Sequence, residues 1–399
     1  MSAPATPPFR ADHVGSLLRP PELRQARDDF AAGTITAGQL RAVEDEAIRG
    51  AVALQREVGL RSVTDGEFRR GSWHMDFVYQ IGGIGQVPGQ LLSKFRNAEG
   101  TIEFTPPAIR VNRRVTMDKT IFGEDYAFLQ SIAAALPPRG DSPPAWGAPA
   151  PHPPRPPDPP KLVPKLTIPA PSMVHYRSGV RAIVDESIYP DVEEFWADLT
   201  AAYAEEVRRL AEQGCRYLQI DDISLAYLND PAQRAYISDR GEDAEHMHLR
   251  YISLINGAVA GRPEGMTVAT HLCRGNYRSS WVASGGYDFV AEALFNELNV
   301  DGFFLEYDDE RSGGFEPLRF VPPGKQIVLG LVTTKRPELE SKDELKRRID
   351  EAAKYVPLDQ LCLSGQCGFS STVEGNALTP DDQKAKLELI VQTAAEVWG

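Results

Sequence analysis

The fold of this 399-residue chain is decided by residues 192–273, which read VEEFWADLTAAYAEEVRRLAEQGCRYLQIDDISLAYLNDPAQRAYISDRGEDAEHMHLRYISLINGAVAGRPEGMTVATHLC. One pattern occurs twice in this stretch. The amphipathic segment Val192–Gln213 precedes the apolar run Tyr217–Ile220, and the segment Asp243–Ala260 precedes the apolar run Met266–Thr270. Continuous apolar strands that alternate with helices indicate a parallel sheet covered on both faces.

The same alternation extends along the rest of the chain. Further helices are predicted at Leu40–Val58, Lys342–Tyr355 and Pro380–Trp398. The candidate strands number eight: Phe9–Val14, Arg61–Thr64, Leu166–Pro169, Tyr217–Ile220, Met266–Thr270, Gly302–Leu305, Ile327–Leu331 and Leu361–Ser364. Eight strand–helix units predict an α/β fold of the (β/α)8 TIM-barrel type. A doubly wound open sheet is the alternative, but no Gly-x-Gly-x-x-Gly fingerprint follows the first strand.

A long insertion is predicted between strands two and three. Residues 68–165 are too many for one strand–helix unit. Within them, Gly82–Arg114 alternates weakly and predicts a hairpin over the barrel mouth. The part 137–164 is rich in proline and predicts an extended surface loop, because proline removes backbone donors. We therefore expect one barrel domain over residues 1–399, interrupted by this insertion.

Composition narrows the classes of partner. The formal charge of −13 disfavours nucleic acid as a partner, because phosphate binding needs basic patches. The sequence contains no run of 18 apolar residues, so no membrane-spanning helix is expected. The first residues lack a signal-peptide pattern, and we therefore expect a cytoplasmic protein. Four cysteines are too few for a disulfide scaffold of this size, which favours metal ligands or buried apolar roles. The sequence leaves open whether the chain forms a homo-oligomer.

Potential metal ligands lie at the ends of three predicted strands. His271 and Cys273 are two residues apart, so on a strand both point to the same side. Glu306 follows the sixth strand and Cys367 follows the eighth. In a barrel these strand ends meet at the catalytic face. Because His, Cys, Glu and Cys together suit zinc, the sequence predicts a Zn²⁺ site.

Other polar residues at strand ends predict a site for an amino acid. Glu67 and Asp221 are candidates for binding an ammonium group, although helix caps or local ion pairs would also explain them. Gly15 and Ser16 offer backbone N–H groups and a hydroxyl for a carboxylate. The predicted ligand is an amino acid that is bound at both ends beside the metal.

Five motifs together resemble the catalytic half of cobalamin-independent methionine synthase, and more closely its short single-barrel relatives. They are DHVGSLLRP (residues 12–20), TDGEFRR (64–70), LQIDD (218–222), THLCRGN (270–276) and QCGFS (366–370). The resemblance covers most of the chain except about 77–165. It implies a (β/α)8 barrel with His271, Cys273, Glu306 and Cys367 as zinc ligands. It also implies that Glu67 and Asp221 bind the homocysteine ammonium and that Val14, Gly15 and Ser16 bind its carboxylate.

The resemblance implies a zinc-dependent methyltransferase that transfers methyl from a methyltetrahydrofolate, or from another donor, to homocysteine and so makes methionine. Three family features are absent: a duplicated N-terminal barrel, a Trp after strand three and a His after strand seven, where Val332–Lys335 stands. The partners expected are a small-molecule thiol and a methyl donor. The alternatives left open are alkyl transfer to another thiol such as coenzyme M, a zinc hydrolase, and a non-catalytic metal-binding barrel.

Overall fold

The computed structural model describes residues 6–88, 93–97, 100–105, 108–136 and 161–399, and contains helices and parallel strands in alternation. The helices are α1 Pro21–Ala31, α2 Ala37–Val58, α3 Met75–Val78, α4 Gly123–Ala135, α5 Val180–Ile183, α6 Val192–Glu212, α7 Ser224–Tyr227, α8 Pro231–Asp239, α9 Met247–Val259, α10 Ala291–Glu297, α11 Lys342–Ala352 and α12 Pro380–Trp398. The strands are β1 Ser62–Val63, β2 Gly82–Val87, β3 Ser93–Asn97, β4 Gly100–Phe104, β5 Ala108–Thr116, β6 Val163–Pro164, β7 Leu166–Pro169, β8 Tyr217–Asp222, β9 Thr267–Leu272, β10 Gly302–Glu306, β11 Gln326–Val332 and β12 Leu361–Gly365.

The central feature is a parallel sheet. Six strands, β7 to β12, pair in chain order, and β1 pairs in parallel with β6, which is separated from β7 by the single residue Lys165. The α/β class and the predicted strands from β7 to β12 are confirmed, each within two residues at either end. The predicted strand Phe9–Val14 is reduced to one parallel bridge between Ala11 and Leu363. The chain turns soon afterwards at Gly15, where φ is 148°.

The helices cover the sheet through apolar faces spaced at helical period. In α6 the buried residues Phe195, Leu199, Ala202 and Leu210 recur three, four or eight positions apart, and Asp191 caps the first turn by accepting a hydrogen bond from Glu193 N. This face packs against α9. None of the helices in the described ranges is long and apolar enough to cross a membrane.

The segment predicted as an insertion contains more regular structure than its sequence suggested. An antiparallel pair, β2 with β5, and the short hairpin β3–β4 occupy the region where one hairpin was expected. Helix α4, which was not predicted, packs against α2 and β6 and buries Leu129. Most of the predicted proline-rich loop, 137–160, lies outside the described residues. Its predicted end was wrong, because Val163–Pro164 forms β6.

Candidate metal centre and substrate pocket

Four potential metal ligands converge at the carboxyl ends of the strands. His271 lies in β9 and Cys273 directly follows it, Glu306 ends β10, and Cys367 comes two residues after β12. One ligand atom from each lies within 4.8 Å of the others, and all four side chains are buried. The Sγ atoms of Cys273 and Cys367 are 3.5 Å apart. The grouping predicted from the sequence is thus present in the fold.

Two observations fit a zinc ion at the four ligand atoms: the distance between the two sulfur atoms and an unpaired carboxylate oxygen. Two thiolates at 2.3 Å from one tetrahedral zinc would stand roughly 3.8 Å apart, close to the spacing of Cys273 and Cys367. Glu306 Oε1 accepts a hydrogen bond from Arg274 N at 3.1 Å, whereas its buried Oε2 has no partner. Leaving a buried carboxylate oxygen unpaired is costly, and a cation satisfies it. The residues therefore suit a borderline-soft divalent ion.

The two thiols of the cluster differ in how readily each loses its proton. The hydrogen bond from Cys273 and the charge of His271 lower the pKa of Cys367 to about 7, although burial opposes this. The same hydrogen bond and burial raise the pKa of Cys273 well above its ordinary value. Burial disfavours the charged form of His271, but Asp221 and Cys367 outweigh it and raise its pKa to about 9. A bound cation would have to displace these protons.

Asp221 connects the cluster to the predicted substrate residues. Its Oδ1 lies 3.6 Å from His271 Nδ1 and accepts a hydrogen bond from Gln219 Nε2 at 2.6 Å. Gln219 Nε2 also donates to the carbonyl of Val14. A carboxylate beside a histidine ligand fixes the ring orientation. Asp221 can therefore position His271 as well as contact a ligand.

Glu67 is buried with half of its carboxylate unused. Its Oε1 accepts a hydrogen bond from Thr167 Oγ1 at 2.8 Å and lies 3.5 Å from Arg70 Nη1, whereas Oε2 has no partner. Its φ of 61° is in the left-handed region. Burial raises the pKa of Glu67, Arg70 lowers it, and Asp221 raises it further. A strained, buried and half-satisfied carboxylate beside a second carboxylate is suited to a cationic ligand.

The predicted carboxylate site is more enclosed than expected. Val14, Gly15 and Ser16 are buried rather than exposed, because Ser16 packs on the turn that carries Cys367. A Cβ at Gly368 would meet Ser16 Oγ at 2.0 Å, so only glycine permits this approach. The Ser16 hydroxyl accepts a hydrogen bond from Ser370 N at 3.3 Å, which leaves its own proton free to be donated.

One cavity of about 340 Å³ joins these groups. Seven predicted residues line it: Val14, Ser16, Glu67, Asp221, His271, Cys273 and Cys367. An aromatic wall that the sequence analysis missed also lines the cavity: Trp73, His74, Tyr79, Phe95, Tyr227 and Tyr277. Phe95 packs on Tyr277 with ring centroids 5.3 Å apart. Most of these residues come from irregular segments, in which no periodic signal marks an inward side chain.

His74 lines the cavity and has one ring nitrogen without a partner. Its Nδ1 lies 3.2 Å from Ser72 Oγ, which also accepts a hydrogen bond from Met75 N at 3.4 Å. The other ring nitrogen, Nε2, is buried without a partner. Burial and the nearby Arg177 hold the pKa of His74 well below its ordinary value. His74 is therefore neutral at pH 7, and its unpartnered nitrogen is available to a ligand.

Comparisons with known proteins identify the family of this chain. The family model described as "Cobalamin-independent synthase, Catalytic domain" matches residues 165–396. The uncharacterized protein YxjH of Bacillus subtilis is 44% identical over 98% of this chain and 95% of its own length. A 5-methyltetrahydropteroyltriglutamate–homocysteine methyltransferase of Thermotoga maritima is 22% identical over 92% of this chain and 42% of its own length. The crystal structure of a putative vitamin-B12 independent methionine synthase from Listeria monocytogenes is 36% identical, covers 99% of both chains and superposes with a TM-score of 0.73.

Proposed function

Because the chain belongs to the family of the cobalamin-independent synthase catalytic domain, we propose that it is a zinc-dependent methyltransferase that converts homocysteine to methionine. The observation that carries the proposal is the buried cluster of His271, Cys273, Glu306 and Cys367, three members of which, His271, Cys273 and Cys367, line a cavity. The family supplies the reaction class. The cluster supplies a reason for a thiol as the nucleophile, because soft ligand sets hold thiolates well.

The four clustered side chains would hold the metal, and Asp221 would orient the His271 ring through Nδ1. A zinc ion bound there supplies a Lewis acid that keeps a substrate thiol deprotonated near pH 7. The cavity next to the cluster is lined largely by apolar and aromatic groups. Such a lining excludes water from the nucleophile and so favours transfer of the methyl group to sulfur over hydrolysis.

Glu67 and Asp221 would bind the ammonium of homocysteine. The unpaired Oε2 of Glu67 offers a free acceptor, and a cation between two buried carboxylates relieves their repulsion. The hydroxyl of Ser16, with the neighbouring backbone of Val14 and Gly15, would receive the carboxylate. These contacts fix the sulfur end of the amino acid toward the two cysteines.

The methyl donor would enter between the sulfur and the aromatic wall. Methyltetrahydrofolate is the first donor that we propose, because the Thermotoga relative is named for it. Planar rings pack well against side chains such as Trp73 and Phe95. His74 Nε2 would form a hydrogen bond with the donor and so hold it in one orientation.

We also propose that residues 1–399 form one barrel domain, interrupted between β1 and β6 by an insertion. Asp12 supports closure into eight strands, because its carboxylate contacts side chains of three neighbouring segments. It accepts hydrogen bonds from Ser62 Oγ, Lys165 Nζ and Tyr217 OH. The first strand therefore faces the second, third and fourth across one interior, as in a closed barrel.

The experiment is a paired measurement of metal content and turnover. We expect about one zinc per purified chain, and methionine formation that needs both homocysteine and a methyl donor drawn from a panel of methyltetrahydrofolate and methylcobalamin. Cys367→Ser should lose zinc and activity together, whereas the buried Cys215→Ser, which lies outside the cluster, should keep both. Full activity in metal-free protein, or undiminished zinc in Cys367→Ser, would refute the proposal.

A further inference from the structure

A buried lysine lies beside the metal cluster without an acidic partner. Lys335 follows β11 and is 6% exposed. Its Nζ donates a hydrogen bond to Asn276 Oδ1 at 3.4 Å and forms no ion pair with any carboxylate in the described ranges. The other deeply buried lysines, Lys165 and Lys386, each have a carboxylate partner. Burying an ammonium without a counter-ion is costly. We therefore expect another group near Lys335 to supply the negative charge that balances it.

The backbone around Lys335 is fixed to the turn that carries Cys367. Thr334 N and Oγ1 both donate to Gln366 Oε1 at 2.8 Å, and Gln366 directly precedes Cys367. Asn276, the partner of Lys335, donates from Nδ2 to the carbonyl of Gly368, which directly follows Cys367. Two sets of hydrogen bonds therefore hold the ammonium in a constant position relative to the thiols.

The metal centre of the proposed function would carry the missing negative charge. Two thiolates and one carboxylate outweigh the two positive charges of zinc by one, and a substrate thiolate adds a second. In a site of low dielectric constant this excess weakens the binding of the substrate as an anion. A fixed cation beside the ligands offsets the excess without donating to the sulfur itself.

Resting on the proposed function, we propose that Lys335 is an electrostatic positioning residue that enables the centre to accept the substrate sulfur as a thiolate. Lys335 therefore favours homocysteine, whose sulfur binds as an anion, over methionine, whose thioether sulfur is neutral. The preference for thiol over thioether helps to release the product. A purely structural lysine would affect the binding of both ligands alike.

The test compares the affinity of the zinc-loaded protein for homocysteine and for methionine by calorimetry at pH 7. Lys335→Met should weaken homocysteine binding about tenfold and leave methionine binding within about twofold, because only the anionic sulfur loses a favourable charge. Lys335→Arg keeps the charge and should stay within about threefold of the wild type for both ligands. Lys386→Met is the matched control, since that lysine is also buried but has Glu340 as its partner.

Lys335→Gln retains a donor for Asn276 and serves as the neutral variant if Lys335→Met folds poorly. Equal loss of both ligands in the neutral variants, or no loss of homocysteine, would overturn the role of Lys335. The wild type is measured first, with and without zinc. If zinc does not improve its homocysteine binding, the proposed function itself fails, and this failure is seen before any lysine variant is measured.

Discussion

Glu67→Gln gives the sharpest test of how the substrate is bound. The replacement keeps the size of the side chain and its acceptor for Thr167 Oγ1, but it removes the charge that we assign to ammonium binding. Truncating one partner of a buried charge pair costs about 2–5 kcal/mol. Arg70 already lies beside the Glu67 carboxylate, and Asp221 remains in the variant, so we expect a loss at the lower end of this range. About 2 kcal/mol corresponds to roughly 30-fold weaker homocysteine binding.

The assay compares homocysteine with 4-mercaptobutanoate, which is the same molecule without its amino group. Calorimetry on the zinc-loaded protein should show the 30-fold loss for homocysteine and little change for 4-mercaptobutanoate. Adding 2-mercaptoethanesulfonate tests the coenzyme M alternative, because that thiol also lacks an amine. Glu44→Gln is the control, since Glu44 is a buried carboxylate paired with Arg27 outside the cavity.

The pH dependence provides a second readout for the same residue. Burial raises the pKa of Glu67, so in the wild type the carboxylate gains a proton and loses its hold on the ammonium at a higher pH than an exposed glutamate would. Homocysteine binding should therefore weaken as the pH falls through that raised value, and Glu67→Gln should lack this decline. Equal losses for the two thiols, or an unchanged pH profile in the variant, would refute the assignment of Glu67 to the ammonium.

Two further predictions concern residues outside the cluster. His74→Phe should raise the KM for the methyl donor up to about tenfold, because one buried hydrogen bond is lost, and should leave the affinity for homocysteine unchanged. A loss of homocysteine affinity instead would show that His74 contacts homocysteine and not the methyl donor. Burial raises the pKa of Glu206 from 4.5 to about 7, so its contribution to stability is full below pH 4.5 and is lost as the pH rises through 7. Between pH 5 and 8, the free energy of unfolding in urea should fall by up to about 3 kcal/mol more in the wild type than in Glu206→Gln. Equal slopes of this free energy against pH in the two proteins would contradict the prediction.

Apolar runs were sufficient to predict the strands from β7 to β12, because a strand buried on both faces has few polar positions. They were insufficient for α4, although Tyr126, Leu129 and Ala133 are spaced for one buried helix face. No element was assigned to this stretch, which lies between the predicted hairpin and the predicted proline-rich loop. The β2–β5 pair was foreseen only as a hairpin, because the exposed Arg113 interrupts the alternation of buried and exposed residues along β5.

The partners of the site residues were less predictable than the residues themselves. Strand ends indicated Glu67 and Asp221, but the sequence contains no sign that Glu67 Oε2 lacks a partner or that Asp221 approaches His271. Such contacts depend on the distances between segments far apart in the chain. Lys335 illustrates the same limit, because its missing counter-ion becomes visible only when every neighbouring carboxylate has a position.

Most of the cluster was predictable because successive side chains along a strand point to opposite faces; Cys367 is an exception to this alternation. Tyr217, Ala269 and Phe304 share a small apolar cluster inside the sheet, and side chains two residues apart on a strand face the same way. Counting by twos from these interior residues leads to the site residues: Asp221 on β8, His271 and Cys273 on or just after β9, and Glu306 on β10.

The register between strands completes the argument. Asp221 pairs with His271 and Leu272 pairs with Leu305, so Cys273 and Glu306, each the next residue along its strand, lie at one level. A slip of one residue in β9 would turn Leu272 toward the metal, and leucine offers no ligand atom. Cys367 does not follow this rule, because β12 ends at Gly365 and Cys367 comes five positions, an odd offset, after the interior Cys362. Its inward position depends instead on the turn after β12, where Gln366 N donates to Val332 O at 2.8 Å. The three ligands on strands follow from sequence period alone, whereas the fourth depends on a backbone turn that the period does not encode.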